Sequence, residues 1–64
     1  MIQQVIRFGN DMVIVFDEKG EQILEYQGHY DRVRDMILRD APPTAKFIHA
    51  VFNLSGDGVP REEW

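Results

Sequence analysis

The side chains that could do catalytic or metal-binding chemistry are few in this sequence and are not spaced as a site. His29 and His49 are its only imidazoles. Metal-binding histidines on one helix or strand recur at short fixed spacings, because the ligands must converge on one ion. Neither histidine has such a neighbour, so we expect His49 to be a hydrogen-bonded strand residue and His29 a surface or helix-capping residue. No metal and no cofactor is predicted.

The segment Ser-Gly-Asp-Gly, at 55–58, has the composition of an ion-binding loop without its spacing. A phosphate loop ends in Gly-Lys followed by Ser or Thr, and an EF-hand needs oxygen ligands at alternate positions before its glycine. Ser55 also lacks the Gly-x-Ser-x-Gly elbow that exposes a nucleophilic serine. We expect a turn here and do not expect an enzyme.

Three arginines in the middle of the chain, Arg32, Arg34 and Arg39, are candidate contacts to an anion or a partner. Arg34 falls beside the apolar stripe of the predicted helix, where its stem can pack while the guanidinium pairs with a carboxylate such as Glu25. Asp35 precedes Arg39 by one helical turn, a favourable ion-pair spacing. Solvated ion pairs are therefore the simpler interpretation of these charges.

The overall charge disfavours nucleic acid as a partner. Seven Lys and Arg oppose 11 Asp and Glu, which gives a net charge of −4. Such a balance favours solubility and opposes binding to phosphates. The absence of cysteine excludes disulfides and thiol chemistry. Charged or polar residues interrupt every apolar run, so we expect a cytoplasmic protein without a membrane span.

The first half of the sequence predicts three strands. Residues 2–8 and 12–16 are rich in β-branched and aromatic side chains, and a two-residue turn within 9–11 would join them as a hairpin. The segment 17–20, Asp-Glu-Lys-Gly, is typical of a three-residue bulged loop whose glycine takes a left-handed conformation. The third strand is predicted over 21–27.

The second half predicts one helix and a fourth strand. The apolar period changes to that of an amphipathic helix over 29–40, with Gly28 as its N-cap and the prolines after Ala41 as its end. Residues 47–53 are predicted as a strand. We therefore expect an α+β module of order β-β-β-α-β at 1–54, with the helix packed on one sheet face, and a flexible or docked tail at 55–64.

The apolar residues of the predicted strands fall on two faces. With a two-residue first turn, even positions of the first strand share a face with odd positions of the second. The face expected to form the core beneath the helix comprises Val5, Met12, Ile14, Phe16, Leu24 and Tyr26. The opposite face comprises Ile2, Ile6, Phe8, Val13, Val15 and Ile23.

The second face is too apolar to remain exposed to water. At about 25 cal/mol per Å², leaving it uncovered would forgo several kcal/mol, which is comparable with the net stability of so small a domain. The tail, an identical subunit or a different protein could cover it. A second copy is favoured, since two-fold pairing is the commonest solution. Trp64 is included among the candidate interface residues because tryptophan is enriched where partners dock. The favoured interpretation is that it folds back onto the module or is a frayed end, and insertion of the tail into a neighbouring subunit is the alternative.

Three functional hypotheses follow from this apolar face and the charges. The first is a non-enzymatic interaction or assembly module that forms a homodimer. The second is an accessory subunit that binds a different protein, because the order of elements is similar to that of small β-β-β-α antidote subunits of toxin–antitoxin pairs, although no motif is shared. The weakest is ligand or nucleic-acid binding through the helix arginines.

Overall fold

The fold is an α+β arrangement of one helix and a five-stranded mixed sheet, in a computed structural model that describes residues 1–50 and 57–64. The strands are β1 (Ile2–Phe8), β2 (Met12–Asp17), β3 (Gly28–His29), β4 (Lys46–Ala50) and β5 (Asp57–Val59), and the helix α1 is Tyr30–Asp40. Their order across the sheet is β3-β2-β1-β4-β5, with only β1 and β4 parallel. The predicted α+β class is confirmed, but the sheet has five strands and not four.

The loop between β1 and β2 has three residues, not the two predicted. Asp11 takes a left-handed conformation with φ 66°, and its amide donates to the carbonyl of Phe8 at 2.9 Å. A short polar side chain tolerates this conformation at the end of a three-residue hairpin loop. Val5 therefore lies opposite Val15. Because one extra residue reverses the side on which the side chains of the next strand lie, the predicted faces are wrong for β2, while Val5, Ile6 and Phe8 of β1 lie on the predicted sides.

The second turn has the predicted bulged geometry. The amide of Asp17 donates to the carbonyl of Glu21 at 2.8 Å, and Gly20 takes the left-handed conformation with φ 81°. The carboxylate of Asp17 accepts hydrogen bonds from the backbone amides of Lys19 and Glu21. The amide of Glu21 in particular holds the pKa of Asp17 below its usual value. The short-range turn signal in this segment was therefore sufficient.

The predicted third strand at 21–27 is wrong. A 3-10 turn occupies Leu24–Tyr26, and on this side β2 pairs only with Gln22, in an isolated bridge to Phe16, and with the two residues of β3. The turn lets Ile23 and Tyr26, three residues apart, pack against the same core, which the alternation of a strand forbids. The side-chain oxygen of Gln27 accepts from the amide of Val15 at 3.1 Å, where a strand would have offered a carbonyl. Leu24, expected in the core, is 74% exposed.

Helix α1 begins and ends by local signals. The N-cap is His29, not Gly28, and its ring nitrogen Nδ1 accepts from the amide of Asp31 at 3.3 Å, which confirms the expected capping role. At the other end the amide of Ala41 donates to the carbonyl of Ile37, and two prolines follow. No helix in the described part of the chain has the length and apolar character to cross a membrane.

The parallel pair β1 and β4 occupies the middle of the sheet. Val5 lies beside Phe47, and Phe47 lies beside Val59 of β5. Part of the predicted tail is thus a strand of the sheet. Of the predicted strand 47–53, residues 51–53 lie outside the described residues, as does the predicted domain boundary after residue 54.

The core lies between α1 and one face of the sheet, and Trp64 completes it. The Trp64 ring is only 3% exposed and packs edge-on against Tyr30 and Phe47, with ring centres 5.1 and 5.0 Å apart. Five of the side chains predicted for the interface lie in or against this core, because of the three-residue loop before β2, the irregularity in β1 between Ile2 and Gln4, the 3-10 turn after Ile23 and the docking of Trp64. They are Ile2, Val13, Val15, Ile23 and Trp64.

Candidate functional site: the outer face of the sheet

The two sheet faces are distinguished by which side chains pack with α1. Residues paired directly across neighbouring strands point to the same side. Val33 and Ile37 of the helix share a cluster with Val5 and Val15, which defines the inner face. The outer face is the other side, and its residues on the three central strands are Gln4, Ile6, Phe8, Met12, Ile14, Phe16, Lys46, Ile48 and Ala50.

The outer face is mostly apolar. A row of three isoleucines crosses it, with Ile14 and Ile48 on either side of Ile6. Ile6 is buried, yet it is not part of the core cluster beneath the helix. Met12 is 43% exposed. A one-sided sheet usually presents polar residues on its wet face, so this composition is typical of a surface that another layer covers.

On the three central strands the polar residues of the outer face are confined to one end, whereas on β3 His29 lies beside Met12 at the other end. Gln4 on β1 lies between Phe16 on β2 and Lys46 on β4. Within residues 1–50 and 57–64 no ion pair of Lys46 is found. This end therefore carries an amide, an aromatic ring and an ammonium side by side.

Neither the helix nor Trp64 covers the outer face. The side chains of α1 that enter the core join the inner-face valines, and Trp64 contacts Tyr30 and Phe47 on that same side. The 3-10 turn at Leu24–Tyr26 also packs against the inner cluster through Tyr26. Among the described residues, no helix lies against the outer face.

The sequence placed only part of this surface correctly. Of the residues assigned to an interface, Ile6 and Phe8 do lie on the outer face. Met12, Ile14 and Phe16 were expected in the core but lie on the outer face. Val13 and Val15, which were expected on that face, are buried in the core, as the corrected register requires. Ile48 was not singled out at all. The sequence signal that could have found these residues is Asn10-Asp11, because either residue tolerates the left-handed position of a three-residue loop.

A cleft at the carboxyl ends of β1 and β4 is one of several concave features lined by polar side chains. It measures about 280 Å³ and is lined by Arg7, Phe8, Gly9, Asp11, His49 and Ala50. Crevices at the carboxyl ends of parallel strands often bind ligands. Here, however, Nε and Nη2 of Arg7 both donate to Asp11, at 3.0 and 2.8 Å, and Nη1 donates to the main-chain oxygen of Trp64. The one guanidinium in the cleft is thus already engaged.

Among the described residues the two histidines lie apart, one on β4 and one at the start of α1. His49 lies on β4 as predicted, with Nε2 at 3.5 Å from the main-chain oxygen of Trp64. His29 caps the helix. In the part of the chain that the structure describes, no group of three His, Cys, Asp or Glu side chains could hold a metal ion.

The helix arginines are largely engaged by neighbouring side chains. Arg34 donates to the Tyr30 hydroxyl and to Asp35, so the predicted pair with Glu25 is wrong. Arg39 donates to Asp40, and not to Asp35 as predicted. This pairing engages Arg34 and Arg39, while for Arg32, exposed on α1, no ion pair is found within residues 1–50 and 57–64.

At the end of α1, the pKa of the Asp40 carboxyl group is strongly lowered. The guanidinium of Arg39 and the hydroxyl of Tyr26 both donate to it, the latter at 2.6 Å. These hydrogen bonds, that of Arg39 foremost, lower the pKa of Asp40 to about 2. The same contact raises the pKa of Tyr26, because its hydroxyl loses a bond to a carboxylate on ionising. This cluster ties the 3-10 turn to the end of α1.

No protein-family model, curated protein or solved structure matches the chain. The outer face is therefore argued from its own geometry and chemistry.

Proposed function

We propose that this protein is a non-enzymatic interaction module that binds a second copy of itself through the outer face. The observation that carries the proposal is the continuous apolar row of Ile14, Ile6 and Ile48 on a face without a described helix. Burial of such a row removes apolar surface from water and is favourable at about 25 cal/mol per Å². Surfaces of this kind on small domains are usually covered by a partner.

The size of the domain favours a contact that uses the whole face. A stable interface buries about 800 Å² on each partner. The protein exposes 4334 Å² in total and measures 26 × 22 × 22 Å. An interface of that size is close to one complete side of the molecule. The outer face is the one large sheet surface available for it among the described residues.

The test is the mass of the pure protein in solution, measured by light scattering over a range of concentrations. We expect a dimer for the wild type and a monomer for Ile14→Glu, because a buried carboxylate without a partner is costly. Urea unfolding of both proteins shows whether Ile14→Glu still folds. If Ile14→Glu does not fold, Ile48→Glu, at the other end of the isoleucine row, provides a second variant.

Two controls separate the interface from the core. Asp35→Lys changes the charge of a side chain that is 93% exposed on α1 and should leave the dimer intact. Val15→Glu changes a buried residue beneath the helix and should unfold the protein, whether or not it forms a dimer. A wild-type monomer at all concentrations would contradict self-association. It would direct attention to a different protein as the partner, which was the second hypothesis from sequence.

A further inference from the structure

The outer face is self-complementary in one particular stacking, and we infer that two copies pack face to face with their β1 strands parallel and a two-fold axis running along them. This inference rests on the proposed self-association and adds its geometry. In this arrangement β1 lies over β1 of the second copy, and β2 lies over β4. A row is a set of paired residues on β2, β1 and β4, such as Ile14, Ile6 and Ile48. Each row lies over the same row of the other copy, with the β2 residue of one copy over the β4 residue of the other.

The central row fits itself under this operation. Ile6 meets Ile6 on the axis, while Ile14 of one copy meets Ile48 of the other. Ile14 and Ile48 are half-buried and supply most of the new contact, since Ile6 between them is already buried within its own copy. Two sheets packed in this way lie about 10 Å apart, with their strands within about 30° of one another.

The two flanking rows are complementary in size and in charge. Met12, continuing the register opposite Phe8, would lie over the position of Ala50 in the other copy. Met12 is exposed and supplies this contact, since Ala50 is already buried within its own copy. Phe16 would lie over Lys46. An ammonium over an aromatic ring is attracted by its electron-rich face. Lys46 has no ion pair among the described residues and is exposed, so it is available for this contact.

The alternative two-fold axis, perpendicular to the strands, fits less well. It would place the row containing Gln4 over the row containing Phe8. The amide of Gln4 would then be buried against a ring, with no hydrogen-bond partner on the other copy, which carries a penalty. Lys46 would lie over Ala50 with no aromatic ring beneath it. In the parallel arrangement the two Gln4 amides meet each other and can exchange hydrogen bonds.

The absence of cysteine from the sequence makes single-cysteine crosslinking a clean test. Because the spacing of about 10 Å between sheets exceeds the reach of a disulfide, a short bis-maleimide reagent is used. We expect Gln4→Cys alone to give a covalent dimer, since Gln4 faces itself across the axis. A mixture of Phe16→Cys and Lys46→Cys should give more crosslinked dimer than either variant alone. Asp35→Cys, on the exposed surface of α1, is the control and should not crosslink at the same concentration.

The outcomes separate the geometry from the function. If Gln4→Cys crosslinks only when mixed with Phe8→Cys, the perpendicular axis is correct and this inference is overturned, while self-association stands. If light scattering shows no dimer at all, the proposed function fails first.

A double-mutant cycle tests the contact of Phe16 with Lys46 directly. Phe16→Leu and Lys46→Gln should each raise the dissociation constant about fivefold to thirtyfold, because the two-fold axis repeats this exposed cation–aromatic contact and each variant removes both copies of it. Phe16→Leu also removes ring area, so the coupling between the two changes is the decisive quantity. The double variant should be weaker by less than the product of the two single effects. Independent, multiplicative effects would overturn the proposed contact.

Discussion

The guanidinium carbon of Arg7 lies 3.6 Å from the centre of the Tyr30 ring. The edges of the same guanidinium donate to Asp11 and to the main-chain oxygen of Trp64. One side chain on β1 thereby joins the first hairpin loop, the first turn of α1 and the 61–64 segment. The planar group can stack and donate at once, which an ammonium cannot do.

Arg7→Lys should destabilise the protein by about 1–2 kcal/mol, although the charge is kept, because stacking and the paired hydrogen bonds to Asp11 are lost. The measurement is urea unfolding at neutral pH. Arg32→Lys is the matched control on the exposed surface of α1 and should change the free energy of unfolding by less than about 0.5 kcal/mol. Equal effects of the two substitutions would show that the geometry around Arg7 contributes nothing.

Trp64→Ala should destabilise the protein by about 3–5 kcal/mol, since it removes a large ring from between Tyr30 and Phe47. Trp64→Phe should cost less, because it keeps part of the ring packing and removes an indole nitrogen that is buried without a hydrogen-bond partner among the described residues. Chemical denaturation followed by circular dichroism measures both changes.

Leu24→Ala is the control for Trp64, because Leu24 is also a large apolar residue but is mostly exposed. The free energy of unfolding of the Leu24→Ala protein should stay within about 0.5 kcal/mol of that of the wild type. A Trp64→Ala protein as stable as Leu24→Ala would mean that the 61–64 segment is not docked in solution.

Asp40 should remain ionised far below the pH at which an ordinary aspartate takes up a proton. Its pKa is about 2 in the folded protein, against 3.8 for the unperturbed group. A carboxyl group with a lowered folded pKa contributes stability that is complete above its unfolded pKa and is lost as the pH falls through the folded value. The contribution of Asp40 is therefore expected to disappear between about pH 4 and pH 2.

The measurement for Asp40 is a carboxyl-carbon NMR titration. Arg39→Gln should raise the pKa of Asp40 the most and Tyr26→Phe should raise it less, in the order of their hydrogen-bond effects. Arg32→Gln, which removes a helix charge that does not bond to Asp40, should leave it unchanged. An Asp40 that titrates at its ordinary value in the wild type would refute the cluster.

The elements that the sequence located best are those specified by neighbouring residues. The turn at Asp17–Gly20 depends on the glycine that closes it. The extent of α1 follows from the apolar period of its residues, and its end before Pro42 follows from the amide donor that proline lacks. These effects act over a few residues and can be recognised without knowing the rest of the fold. The same is true of β1 and β2, whose β-branched composition is evident from the printed sequence.

The site itself depended on a choice that the local sequence left open. Gly9-Asn10-Asp11 suits a loop of either two or three residues, and the difference decides whether Val15 or Ile14 faces the helix. β2 is apolar at every position from Met12 to Phe16, so its composition does not show which of its residues face the helix. Only the packing of the valines against α1 selects the register.

What the sequence alone determined is therefore an acidic α+β domain with one helix, two well-marked turns and more apolar strand surface than that helix can cover. The tertiary structure decided which face of the sheet α1 does not cover. It placed β4 beside β1, added β5, and brought Trp64 onto the helix side. The physical reason is that strand register and the docking of distant segments are fixed by how side chains fill a shared core, and that filling involves residues far apart in the chain.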